Sequence, residues 1–214
     1  MGQPSSYNDL DRIGRIRLSD NFFMRDFLYS EIAIHYGIPN TPDDELLAVE
    51  VGSALCEHLL EPLQLRFGRL HIRSAFRSST VNETGNTNGH NCSRNAENYA
   101  GHIWDRKDDE GRKGATACIV VPGFADCFDQ TGDWTELAWW IHDNLPYCWL
   151  EFFSPNWAFN ITWSDQPKRE IWTWAHWISD GEIVKNRIFT RRGMPNYEGD
   201  HGSEYKRLNK VFSL

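Results

Sequence analysis

The sequence lacks paired cysteines and long apolar runs. Its five cysteines are an odd number and include no Cys-x-x-Cys pair, so we expect reduced, buried thiols and no disulfide framework. No apolar run approaches the length of a membrane span, and residues 1–20 are polar and contain no segment typical of a signal peptide. The sequence therefore predicts a protein that is made in the cytoplasm, stays there and does not enter a membrane.

Basic residues are also in the minority. Lys and Arg number 22 against 30 Asp and Glu, which gives a formal net charge of −8. Nonspecific nucleic-acid binding depends largely on basic side chains that neutralise phosphates, so nucleic acid is not an expected partner. Several Lys and Arg residues gather between positions 185 and 210. We expect them to form a solvated face, and a local anionic site is the alternative.

Aromatic residues, in contrast, are abundant. The chain has ten tryptophans and an aromatic content of 14%, and such large side chains usually line cores and clefts. A length of 214 residues allows one sizeable core and favours a single domain.

Two segments have the apolar spacing of an amphipathic helix. The first is expected to have Thr41 as its cap and Pro42 at its first helical position, to bend at Pro62 and to end at Gly68. The second covers residues 133–144. Both helices should bury one face against the core.

Alternating and continuous apolar segments predict several strands. Between the first two of them, residues 79–97 are rich in Asn, Ser, Thr and Gly and are expected to form a long surface loop. The second and third strands read as a hairpin. The predicted strands are residues 70–78, 101–107, 114–122, 147–153, 157–163 and, as a further one, 171–178.

Residues 98–105 read Asn-Tyr-Ala-Gly-His-Ile-Trp-Asp. This stretch resembles the metal-binding segment of the zinc D-Ala-D-Ala peptidases, a group that includes dipeptidases, phage endolysins and the hedgehog-type fold. In that family a His precedes the Gly by three residues, and the His and the later Asp both bind zinc. Gly101 and Asp105 match the pattern, and Asn98 stands where the family has its first His.

A rival register of the same motif lies on the next strand. It places Gly111 at the His position and Cys118 at the Asp position. Because this register replaces both zinc ligands at once, we prefer the first one.

Two further stretches resemble the same family. Residues 70–78 are similar to its strand ending in aromatic-Arg-Ser, which implies that Arg77 pairs with a substrate carboxylate or carbonyl through its two-pronged guanidinium. A purely structural Arg77 is the alternative. The strands around Glu151 and Asn160 resemble the family's closing pair, in which an acid precedes the last zinc-binding His. Glu151 falls on the acid, and Asn160 replaces the His.

The resemblance implies an α+β fold with a central antiparallel sheet and flanking helices, as in the hedgehog and DD-peptidase folds. It covers residues 18–165, which we take as one domain. Residues 1–17 are expected to be a loose leader, and residues 166–214 a C-terminal extension packed on the same domain.

A catalytic zinc ion needs three protein ligands, and an Asn amide is a poor replacement for imidazole. We therefore expect a degenerate metal site and no cofactor, in a repurposed cleft that binds a small peptide or another carboxylate-bearing ligand. In this reading Arg77, Asn98 and Asn160 bind the ligand. Asp105 and Glu151 act as acid or base if the cleft is catalytic, which would make the protein a hydrolase.

Three alternatives stay open. An active zinc peptidase would need displaced ligands, for which His102, Asp105 and His176 are the candidates, although strand alternation places His102 and Asp105 on opposite faces. Oxygen ligands from Asn98, Asp105 and Asn160 would instead suit calcium or magnesium. The last alternative is a non-catalytic interaction module whose tryptophan-rich surface meets another protein.

Overall fold

The structure is a computed structural model that describes residues 7–179, 181–185 and 187–212. The strands are β1 His71–Ser74, β2 Gly114–Val120, β3 Trp149–Phe152, β4 Phe159–Ser164, β5 Glu170–Thr173, β6 Trp177–Ser179, β7 Glu182–Val184 and β8 Ile188–Thr190. In this part of the chain a six-stranded sheet has the order β1-β2-β4-β3-β5-β8, and β6 pairs with β7 in a small second sheet. Small and apolar residues make up nearly all of β2, which suits its buried position inside the main sheet.

Helices accompany this sheet and make the protein an α+β protein. Helices α3 and α4 are joined by a π-helical segment, Cys56–Leu60, and this continuous run contributes Val51, Leu55, Leu59 and Leu63 to the core. The helices are α1 Tyr7–Gly14, α2 Glu31–Tyr36, α3 Glu45–Leu55, α4 Glu61–Phe67, α5 Ser79–Thr87, α6 Asn95–Asn98, α7 Pro122–Thr131, α8 Thr135–Asn144 and α9 Lys206–Val211. None of the described helices is long and apolar enough to cross a membrane.

The expected antiparallel sheet is in fact mixed. Strand β3 is antiparallel to β4 but parallel to β5. Strand β4 runs back along one edge of β3. The chain then crosses to the other edge of β3 and turns again, so β5 runs in the same direction as β3. Strands β5 and β8, from the segment expected to be a C-terminal extension, thus belong to the main sheet.

The first predicted helix differs at its start and at Pro62. It begins at Glu45, and its cap is Asp44, whose carboxylate accepts a hydrogen bond from the Leu47 amide, rather than Thr41. Pro62 does not interrupt the run. The π-helical turn Cys56–Leu60 directly precedes it, so the hydrogen-bond pattern of the helix changes where the Pro62 N–H is missing. The predictions that the helix ends at Gly68 and that a second helix lies within residues 133–144 are confirmed.

Residues 101–107 do not form the predicted strand but a series of tight turns. His102, Ile103, Trp104 and Asp105 are all buried, which one alternating strand with a solvent face cannot provide. Ala100 has a positive φ of 55°, and its amide donates to the Arg106 carbonyl, which closes the turn. The predicted hairpin with β2 is therefore wrong.

The predicted loop over residues 79–97 and the leader also contain helices. Helix α5 begins after Ser78, whose hydroxyl accepts a hydrogen bond from the Val81 amide, and Asn82 and Asn86 of this helix donate to the carbonyl oxygens of Ser93 and Cys92. Residues 7–14 form α1, in which Ile13 is buried. Arg12 of this helix pairs with Glu45 at 2.7 Å. Residues 1–6 of the expected leader lie outside the described part of the chain.

Gly114, at the start of β2, offers a test of this packing. A Cβ added there would lie 2.8 Å from the Trp163 carbonyl oxygen and closer still to that of Ala100. Because both neighbours are backbone atoms, we expect Gly114→Ala to lower the free energy of unfolding by about 3 kcal/mol, as measured by urea denaturation.

The matched control is Gly14→Ala in helix α1. The nearest atom to its added Cβ is the Cβ of Arg25, 3.3 Å away, and the next two belong to the flexible guanidinium of the same residue, so a shift of a few tenths of an ångström relieves the contact. A change of about 1 kcal/mol or less in either direction is expected. Equal effects of the two substitutions would contradict the tight packing at Gly114.

Candidate functional site

Three side chains from adjacent strands form one row across the main sheet, called here the β-row: Cys118, Asn160 and Glu151. Cys118 lies opposite Asn160 in the β2–β4 pair, and Asn160 lies opposite Glu151 in the β3–β4 pair. Directly paired residues project from the same face of a sheet. The Asn160 amide donates to Glu151 Oε2 at 3.1 Å. All three residues line a cleft of about 950 Å³.

The other walls of the cleft come from elements far apart in the sequence. Residues at the start of α2, residues 90–92 and the C-terminal half of β1 surround the β-row. The cleft thus has polar groups at its base and apolar rings on its sides, a combination typical of small-molecule sites. The aromatic residues that line it are Tyr29, Tyr36, Phe76, Phe153 and Trp174.

Two arginines line the cleft beside the β-row. Arg77 donates from Nη1 to Asn82 Oδ1 at 3.2 Å and to Cys92 Sγ at 2.7 Å, and Arg73 lies near the Cys118 thiol. These neighbours are an amide and two thiols, and none of them is a carboxylate. Among the described residues, neither arginine forms an ion pair.

Glu151 is held by neutral donors only. Its Oε1 accepts a hydrogen bond from the Trp174 indole at 2.8 Å, and its Oε2 accepts the bond from Asn160. Trp174 is 56% exposed, and the guanidinium of Arg187 lies over its ring at 3.9 Å. The carboxylate is therefore oriented without being neutralised by a direct ion pair in the described part of the chain.

His102 lies buried at the base of the cleft. Its Nδ1 is 2.7 Å from the Ala75 carbonyl oxygen, so Nδ1 carries the proton of the neutral ring. Burial, and secondarily the charge of Arg77, lowers the pKa of His102 to about 3, although hydrogen bonds to Ala75 and Asn160 oppose the shift. The ring is therefore neutral at pH 7.

Cys118 lines the same cleft as His102 and Asn160, but it lacks the properties of a nucleophilic cysteine. Burial raises the pKa of the Cys118 thiol to about 11, and a nucleophilic cysteine needs a thiolate. With a protonated thiol and a weakly basic imidazole, the pair lacks the proton transfer that activates such a residue.

Asn98, predicted to bind ligand, lies behind the cleft rather than on its wall. It is buried, and its amide donates to Asn82 Oδ1 at 3.0 Å and to Ser93 Oγ at 2.9 Å. Because Asn82 Oδ1 also accepts from Arg77, Asn98 helps to position that arginine. Asn98 therefore supports the wall of the cleft instead of facing it.

Asp105, predicted as an acid or base, does not line the cleft. Its Oδ2 accepts a hydrogen bond from the Asp43 amide at 2.7 Å, and burial raises the pKa of its carboxyl group. Asp105 therefore anchors the turn before α3. Residues 102–105 are all buried because they form a turn and not a strand. The turn places His102 at the cleft and Asp105 next to the amide of Asp43.

The two alternative metal sites are not assembled. His102 lines the cleft, whereas Asp105 and the exposed His176 do not. Asn160 likewise lies in the cleft without Asn98 or Asp105. Among the described residues, the zinc ligands proposed from the sequence are not close enough to share one ion, and of the proposed calcium or magnesium ligands only Asn160 lines the cleft.

Sequence reasoning missed Arg73 and Trp174 and placed Cys118 only in the rival register. The spacing from Gly111 to Cys118 was the available signal, and the structure places Cys118, not Asp105, beside Asn160. Arg73 and Trp174 gave no comparable signal, because their proximity to the β-row depends on how the strands pair.

The neutral state of His102 has a consequence for stability. The unfolded chain takes up a proton near pH 6.5, whereas the folded ring does so only near pH 3, so stability is lost as the pH falls through this window. As the pH falls from 7 to 5, His102 lowers the free energy of unfolding by roughly 2 kcal/mol. We expect His102→Asn, which keeps a donor for the Ala75 carbonyl, to remove that part of the pH dependence of urea unfolding.

The exposed His176 provides the control, because His176→Asn should leave the pH dependence of the wild type unchanged. An identical pH dependence in His102→Asn and wild type would show that His102 is not held neutral.

Comparison with known proteins gives no relative from which a function carries over. No family model, no curated protein and no solved structure matches this chain. The likeness to the D-Ala-D-Ala peptidases thus stays a hypothesis based on the residues quoted above, and the function has to be argued from the cleft.

Proposed function

We propose that the protein is a divergent, zinc-independent relative of the D-Ala-D-Ala peptidases whose cleft binds a small, carboxylate-bearing, peptide-like ligand. The observation that carries this proposal is the pair Arg73 and Arg77, two guanidinium groups that line one cleft without an ion-pair partner among the described residues. A carboxylate is the natural counter-ion, because guanidinium groups donate parallel hydrogen bonds that match its two oxygens.

The surroundings of Arg77 favour recognition rather than a purely structural role. Its partners Asn82 and Cys92 fix the guanidinium from one side, and Asn98 holds Asn82 in turn. A positioned charge loses less conformational entropy when a ligand binds. Hydrogen bonds to charged groups contribute about 1.5–3 kcal/mol each, which is enough to decide ligand selection.

Glu151 adds the opposite charge within the same cleft. Its neutral partners Asn160 and Trp174 orient the carboxylate and leave its charge available for an ammonium or amide N–H group of the ligand. Aromatic side chains, including Phe153, complete the walls and suit a short apolar substituent. A small peptide combines these three features.

The donor groups in the cleft support binding without zinc. Asn160 offers an amide, and the Cys118 thiol stays protonated because burial raises its pKa to about 11. In the described part of the chain, the cleft has no three His, Cys, Asp or Glu side chains close enough to share one ion. Zinc requires such a set.

The compartment that we propose is the cytoplasm. All five cysteines are free thiols, and four of them are buried. Burial raises the pKa of Cys56 and Cys148, which keeps these thiols in their unreactive form. A reducing compartment is where such a set of free cysteines persists.

In calorimetric titrations with EDTA present, we expect D-alanyl-D-alanine to bind to the chelator-treated protein. The dipeptide amide should bind at least tenfold more weakly than the free acid, a difference of about 1.4 kcal/mol in binding free energy. Arg77→Gln and Arg73→Gln should each weaken binding of the free acid by a similar factor. In these variants the affinities for the free acid and for the amide should differ less than in the wild type, because the arginine that pairs with the carboxylate has been removed.

The exposed Arg192 is the matched control, and Arg192→Gln should bind the dipeptide like the wild type. Thermal unfolding of each variant checks that the fold is retained. Binding that requires added zinc, or that is unaffected by both cleft substitutions, would contradict the proposed function.

A further inference from the structure

Trp174 combines high exposure with a fixed orientation. It follows strand β5 and lines the cleft, and 56% of its surface is exposed. Exposed side chains usually change rotamer within nanoseconds or less. Two contacts oppose such motion of the indole, one at the polar edge of the ring and one over its face.

The edge contact fixes the ring at the base of the cleft. The indole Nε1–H donates to Glu151 Oε1 at 2.8 Å, and Glu151 is one end of the β-row. The backbone of Trp174 is held as well, because its amide donates to the Phe152 carbonyl oxygen at 2.9 Å. The ring is therefore tied to strand β3 through both its main chain and its polar edge.

The face contact leaves one side of the indole open. The guanidinium of Arg187 lies over the Trp174 ring, 3.9 Å from its centroid, where the ring quadrupole attracts a cation. Arg187 is exposed and does not line the cleft, so it covers the face of the indole that points away from the cleft. The opposite face is left to a ligand.

Trp174 and the arginines lie at opposite ends of the β-row. Cys118 at one end is near Arg73, and Glu151 at the other end accepts the bond from Trp174. Neighbouring strands are about 4.8 Å apart, so two strand spacings separate the ends by roughly 10 Å. An extended peptide advances by about 3.3–3.6 Å per residue. A ligand whose carboxylate meets the arginines thus reaches Trp174 with a group about three residue lengths away.

We propose that the open face of Trp174 binds an aromatic ring of the ligand, a role that rests on the proposed binding of the ligand carboxylate by Arg73 and Arg77. The ligand is then a short peptide with a free C-terminal carboxylate and an aromatic group at its other end. A stacked aromatic pair gains affinity beyond the area that it buries. Because the indole is already oriented, stacking costs little of its conformational entropy.

The test compares three N-acylated forms of D-alanyl-D-alanine in calorimetric titrations of the full chain with EDTA present. The benzoyl form should bind roughly tenfold more tightly than the acetyl form, because it buries a ring. It should also bind about three- to tenfold more tightly than the cyclohexanecarbonyl form, whose ring has a similar size but is not aromatic.

Trp174→Gln removes the ring and keeps a side-chain donor for Glu151. In this variant the benzoyl and cyclohexanecarbonyl forms should bind with equal affinity. Arg187→Gln should reduce the preference for the benzoyl form only in part, because the indole keeps its bond to Glu151. The matched control is Tyr7→Gln, which removes an aromatic side chain that is 80% exposed on helix α1 and should leave the preference unchanged. Thermal unfolding of each variant checks that the fold is retained.

The C-terminal amides of the same peptides separate failure of this inference from failure of the proposed function. Wild-type protein that prefers each free acid to its amide but binds the benzoyl and cyclohexanecarbonyl forms equally overturns the role of Trp174 and leaves the proposed function standing. An unchanged preference for the benzoyl form in Trp174→Gln overturns that role as well. Equal binding of acids and amides contradicts the proposed function and removes the anchor from which the position of the ring is inferred.

Discussion

The candidate site depends on the register in which β2, β4 and β3 pair. A slip of one residue would turn Cys118, Asn160 and Glu151 to the opposite face of the sheet. In this register Thr116 lies opposite Thr162, and their hydroxyl groups form a hydrogen bond of 2.8 Å. On the other face, buried small and apolar residues of β2 belong to the core together with helix α3. Core packing and site geometry therefore follow from the same strand pairing.

Features determined by local sequence could be predicted, and features determined by chain path could not. Helix α8 and the end of α4 at Gly68 depend on neighbouring residues, and both predictions are confirmed. The parallel pairing of β3 with β5 depends on where the chain passes after β4, which no local pattern records. The alternation in residues 101–107 was misleading, because the turn buries four successive side chains.

The same distinction applies to the candidate site. Arg77, Glu151 and Asn160 were identified from the sequence, and all three line the cleft. Asp105 and Asn98 belong to the same predicted motif but support the surrounding structure instead. Cys118, and not Asp105, lies next to Asn160. The cleft therefore has a thiol and an amide side by side at its base, and this pairing could not be predicted because it depends on the strand register.

The function proposed for the cleft follows from one principle, which is that oriented charges without a partner indicate a missing ligand. Arg73 and Arg77 line the cleft without an ion-pair partner among the described residues. A ligand carboxylate supplies the negative charge that these two guanidinium groups lack.

The proposed function requires that the cleft binds a carboxylate without zinc. A crystal structure of the protein grown with D-alanyl-D-alanine and Zn²⁺, with anomalous data collected above the zinc absorption edge, tests this requirement. We expect the ligand carboxylate at Arg73 and Arg77 and no anomalous peak beside the β-row. A zinc peak in the cleft, coordinated by His102 or Cys118, would show that the cleft is a metal site after all.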